Sequence, residues 1–79
     1  MFITVIDTLL KSERLNTSLI QWIKRDITTM GKNLAFEIII KMVYDDKPIH
    51  FVYGMQENRD KVYRKIIDTI GNVTIAIVK

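Results

Sequence analysis

Between Leu34 and Tyr44 every second residue is apolar, and this run constrains the chain more than any other feature. Leu34, Phe36, Ile38, Ile40, Met42 and Tyr44 hold the even positions, with Ala35, Glu37, Ile39, Lys41 and Val43 between them. A period of two puts the even residues on one side of a pleated strand, so other elements must cover that side. β-Branched and aromatic side chains favour the same conformation. The pattern breaks at Asp45-Asp46-Lys47-Pro48 and resumes at Ile49, Phe51, Tyr53 and Met55. Two alternating runs joined by a short polar turn predict a β-hairpin.

The spacing then changes. Val62, Tyr63, Ile66, Ile67 and Ile70 make one stripe of a helix over 57–70, with Glu57 and Asp60 near its positive end and Gly71 placed to stop it. Asn72 to Lys79 alternates again and predicts a last strand. Leu19, Ile20, Ile23, Ile27 and Met30 also fit helical spacing, which predicts a helix over 17–30 with Trp22 on its margin and Gly31 at its end. The first eleven residues fit either period. A strand is preferred there, because a sheet covering two helices needs one more member. Lys11 to Asn16 is left as a loop.

Strand, helix, strand, strand, helix, strand is the βαββαβ order of ferredoxin-like folds, an α+β two-layer sandwich. Right-handed crossovers would put both helices on one face of a four-stranded antiparallel sheet, with the first strand in its middle. ACT-type regulatory domains share this order, but Lys11–Asn16 lacks their glycine-centred loop. Acylphosphatase-like enzymes also share it, and the same missing glycine removes their phosphate cradle around Arg14.

Seventy-nine residues make one domain, 1–79, with a thin stability margin. Without cysteine there are no disulfides, thiol nucleophiles or zinc–thiolate sites, and the setting expected is cytoplasmic. The first residues lack the basic start of a signal peptide, and no apolar run reaches the ~20 residues of a membrane span. The net charge of +3 is mild and interleaved, unlike the segregated patch of most nucleic-acid binders. The isoleucine–lysine bias matches an AT-rich genome, such as that of a phage, an archaeon or a low-GC bacterium.

No enzymatic constellation emerges. His50 is the one histidine, and Glu37 is the acid expected on its face. Asp45 and Asp46 supply too few ligands for a hard cation. No cofactor or metal site is therefore expected. The aromatics Phe36, Tyr44, Phe51 and Tyr53 fall on the expected core face, which argues against base stacking on the sheet. The opposite face would carry Ile39, Val43, His50, Val52, Ala76 and Val78, and exposed apolar area of that kind marks an interaction surface. The function expected is a non-catalytic protein-binding or regulatory module, such as a small viral inhibitor or adaptor, that dimerises with itself through that face. The alternative is a nucleic-acid binder using Arg59, Lys61, Arg64 and Lys65.

Overall fold

The alternating run becomes β4 (Asn33–Met42) and is the centre of the protein. The computed structural model describes residues 1–70 and the three-residue strand at 76–78. Ile38, Ile40 and Met42 are fully buried, as the period-two pattern requires, while Leu34 and Tyr44 at the ends of the run stay exposed. β5 (Ile49–Tyr53) pairs antiparallel with β4 and adds Phe51 and Tyr53 to the same face. The helix α1 (Gln56–Ile70) follows and covers that face with Ile66 and Ile70.

The segment 17–30, expected as a helix, is instead β3 (Ile20–Met30), after a short 3₁₀ turn at Thr17–Leu19. It pairs antiparallel with β4 along its length, from Ile20 opposite Met42 to Met30 opposite Asn33. The two-residue connection Gly31-Lys32 explains the outcome. Gly31 has φ +65°, and glycine at the first central position suits the tight hairpin turns that match strand twist. Ile23, Ile27, Thr28 and Thr29 favour a strand once that turn supplies a neighbour. A register shift between Ile20 and Trp22 puts Ile20 and Ile23 on the core face together, three residues apart, which imitates a helical stripe.

The first strand is β1 (Phe2–Ile6), but it does not enter the main sheet. It pairs antiparallel with β2 (Ser12–Asn16), which arises from the segment expected as a loop. The polar Ser12, Glu13, Arg14 and Asn16 masked one inward apolar residue, the buried Leu15. The last strand, β6 (Ala76–Val78), runs parallel to β3, with Trp22 opposite Ala76 and Lys24 opposite Val78. The remainder of the strand expected over 72–79 lies outside the described residues.

The main sheet therefore has the order β5-β4-β3-β6, beside a separate two-stranded sheet. Among the described residues one α-helix stands where two were expected, β1 is outside the main sheet and β6 is parallel, so the ferredoxin-like arrangement is overturned. The core gathers Val5 and Leu15 from the small sheet, Ile20, Ile23, Ile38, Ile40, Met42, Phe51 and Tyr53 from the main sheet, and Ile66 and Ile70 from the helix. Burying each such aliphatic side chain contributes about 1.5–3 kcal/mol. No helix among the described residues is long and apolar enough to cross a membrane.

Candidate interaction surfaces

Two buried polar residues set the geometry of the surface. The first is Asp7, which directly follows β1 and is 5% exposed. Its Oδ1 accepts the amides of Leu9 and Lys11, and its Oδ2 accepts the amide of Val52. The Thr8 amide donates to the Val52 carbonyl, and the Tyr53 hydroxyl donates to the Ile6 carbonyl. Together these bonds fasten the β1–β2 hairpin along the free edge of β5. The turn forces Leu10 to φ +63° and leaves its side chain in solvent. Burial, with the Asp7 charge adding to it, pushes the Tyr53 phenol up to about 12.

The second is Arg59, also 5% exposed. Its Nη1 donates to the Asp26 carbonyl at 3.0 Å and the Glu37 carbonyl at 3.4 Å, while Nε holds the Asp60 carboxylate at 2.7 Å. The guanidinium lies 5.5 Å from the centre of the Phe36 ring. Arg59 thus pins the start of α1 to β3 and β4. Its place on the helix stripe, three residues before Val62 and seven before Ile66, is the signal that could have marked it as buried. For Asp7 the signal was an Asp directly after an apolar strand, a residue that often caps its own turn.

Of the expected nucleic-acid set, Arg59 is therefore committed to the interior. Lys61, Arg64 and Lys65 are exposed along α1. None of the three takes part in an ion pair among the described residues. Arg25 is engaged by Asp60 at 3.6 Å and by the Tyr63 ring at 4.5 Å.

The expected binding face is assembled in part. Ile39 pairs with His50, and Glu37 with Val52, so these four share the face away from α1. His50 Nδ1 lies 3.4 Å from Glu37 Oε1. Ile39, however, is only 6% exposed and offers almost no area. Val52 is half-buried, and Val43 is exposed just beyond the end of β4. Ala76 and Val78 align with Trp22 and Lys24 by backbone register. Lys24 and Lys41 interrupt the face, and Lys41 Nζ donates to the carbonyls of Met42 and Asp45, bracing the turn that contains the Asp45-Asp46 pair.

More exposed apolar side chains lie elsewhere. Ile27, Leu34 and Met55 are each more than half exposed. Ile27 faces Phe36 across the hairpin, Leu34 lies one diagonal further out, and Met55 follows Tyr53, the partner of Phe36. Ile27 and Leu34 sit on the helix-covered side of the sheet, and Met55 stands at the start of α1, where its carbonyl accepts the Arg59 amide. Sequence periodicity missed them because it assigned Leu34 and Met55 to a continuous core.

A third feature is a groove of about 350 Å³ between β1 and α1, lined by Phe2, Ile3, Thr4, Val62, Lys65, Ile66 and Thr69. Comparison of the chain with protein-family models, curated proteins and solved structures finds no match.

Proposed function

We propose that the protein is a small, non-catalytic protein-binding module and that a second copy of the chain is its partner, in an intracellular setting. The observation that carries this reading is the apolar end of the β3–β4 hairpin, where Ile27, Leu34 and Met55 are more than half exposed. Side chains of this size in one place favour association, because covering them removes apolar area from water. A two-fold contact lets one patch cover its own copy. This end supports docking better than the face around Ile39, whose aliphatic atoms are already covered. Sedimentation at ~100 μM tests the reading, a concentration that populates micromolar dimers. A dimer converted to a folded monomer by Ile27→Lys with Leu34→Lys supports it; a monomeric wild type rules it out.

The second reading, nucleic-acid binding, is favoured by one observation: Lys61, Arg64 and Lys65 lie along one exposed helix and are not ion-paired among the described residues. Affinity for duplex or single-stranded DNA that falls steeply with salt, and less steeply after substitution of these three, would favour it over the first.

A further inference from the structure

The two sheets leave strand edges of different character. Asp26 and Glu37 face each other, and one Arg59 nitrogen reaches both of their carbonyls, so those carbonyls point into the gap between β3 and β4. The backbone groups of Arg25, Ile27 and Thr29 then point to the other edge of β3. There the Asp26 carboxylate accepts the Ile27 amide at 2.8 Å. A charged side chain capping its own strand edge is a device that prevents pairing with another chain. The outer edge of β5 is also closed, by Asp7 and Thr8.

Among the described residues, the outer edge of β1 is closed only at Ile6, whose carbonyl accepts the Tyr53 hydroxyl. The Asp7 amide donates to the Lys11 carbonyl, and the Met1 carbonyl accepts the Thr17 amide. In an antiparallel ladder the bonded positions alternate, so residues 1, 3, 5 and 7 face β2. The amides and carbonyls of Phe2 and Thr4 therefore point away from β2. On that side runs the groove whose far wall is Val62, Lys65, Ile66 and Thr69 of α1. β1 carries no charged residue between Phe2 and Ile6. A strand edge open at Phe2 and Thr4, beside a helix wall of Val62, Lys65 and Thr69, is the arrangement by which an extended peptide adds as an extra strand.

We infer that this groove binds an extended segment of a partner protein, in which apolar residues alternate with acidic ones. The segment's backbone pairs with Phe2 and Thr4. Its apolar side chains seat against the half-buried Ile3 and Val62, and its carboxylates meet Lys65, with Lys61 one turn earlier on the same helix. The inference rests on the protein-binding reading but not on the dimer, which uses Ile27, Leu34 and Met55, none of them in the groove lining.

The test is an amide-resolved NMR titration of the full chain with the acetylated, amidated peptide Glu-Val-Glu-Val-Glu, using Lys-Val-Lys-Val-Lys as the control. The acidic peptide is expected to shift the Phe2 and Thr4 amides and to bind roughly fivefold tighter than the basic one at low salt. Thr4→Pro removes an edge amide that the ladder to β2 does not use, so it should abolish binding in a folded protein. Should Thr4→Pro unfold the protein, Lys65→Glu on an exposed side chain carries the test, and it should reverse the peptide preference. Phe2 and Thr4 amides that move with neither peptide, or a preference unchanged by Lys65→Glu, overturn the inference. The titration is repeated in the Ile27→Lys, Leu34→Lys protein. Binding that survives there while the dimer is lost shows two separate surfaces; binding lost there in a folded chain overturns the assignment to the groove.

Discussion

The Asp7 carboxylate and the Val52 amide meet at 3.0 Å, and this bond joins two sheets that share no strand. Asp7 is acceptor-only when ionised, and all three of its bonds go to backbone amides. The side chain acts as a short piece of strand that the backbone itself does not provide.

Asp7→Ala is therefore expected to lower unfolding free energy by about 2–4 kcal/mol, because it strips the acceptor from three partly buried amides. Asp7→Asn should cost less, keeping one oxygen but turning an NH₂ group toward one donor. Urea denaturation checks both. An alanine variant within about 0.5 kcal/mol of wild type would remove Asp7 from its role in the seam.

Tyr53 links the same seam to alkaline pH. Its folded pKa of about 12 lies above the ordinary 10.0, so between those values the unfolded chain releases the phenol proton while the folded chain holds it. Stability from this group is intact below pH 10 and is lost as pH rises toward about 12. Tyr53→Phe should remove that loss while costing about 1 kcal/mol near neutrality through the unfilled Ile6 carbonyl. Denaturation measured from pH 9 to 12, with tyrosinate absorbance compared between the two proteins, checks the sign. Equal alkaline loss in both would assign it to another group.

Arg59→Met is expected to destabilise by about 2 kcal/mol, since the carbonyls of Asp26 and Glu37 lose a charged donor and Asp60 its nearest cation. Arg59→Lys should recover only part of this, because one ammonium lacks the planar fork that reaches two carbonyls and a carboxylate together. If lysine restores full stability, the geometry of the fork is irrelevant and charge alone suffices.

Two left-handed positions should respond in opposite directions. Gly31→Ala puts a Cβ at φ +65°, with open space around it, so the cost of about 1 kcal/mol is conformational and not steric crowding by neighbours. Leu10→Asn places a more tolerant residue at φ +63° and removes a leucine that is 84% exposed. It should stabilise by up to about 1 kcal/mol. Thermal unfolding of both variants reads the two signs.

Much of the fold was legible where one periodicity had no competitor. β4 and β5 alternate over enough residues that no helix could satisfy them, and α1 carries a stripe no strand could use. Ile23 and Ile27 fit both periods and Ile20 joins their face only through a register shift, so the Gly31-Lys32 turn, with β4 waiting beyond it, selected the strand. β2 was hidden because it contributes a single buried side chain, Leu15, to the core. At the candidate surfaces, the pairing of Glu37 with His50 was foreseeable from alternation on neighbouring strands. The burial of Ile39 was not, since burial depends on what neighbouring elements lay across it, whereas the position of Arg59 on the α1 stripe did carry a signal.

Hydrophobic spacing by itself determined that β4 and β5 had to be strands and α1 a helix, and which side of β4 faces inward, because these follow from side-chain direction along a local backbone. The tertiary structure alone decided that β1 stands outside the main sheet, that Asp7 closes the edge of β5, and that Phe2 and Thr4 are left with an open edge beside α1. Those outcomes depend on hydrogen bonds between residues some forty-five positions apart, such as Asp7 to Val52. Such bonds leave no periodic trace in the sequence, because each is satisfied by one residue and a distant backbone group.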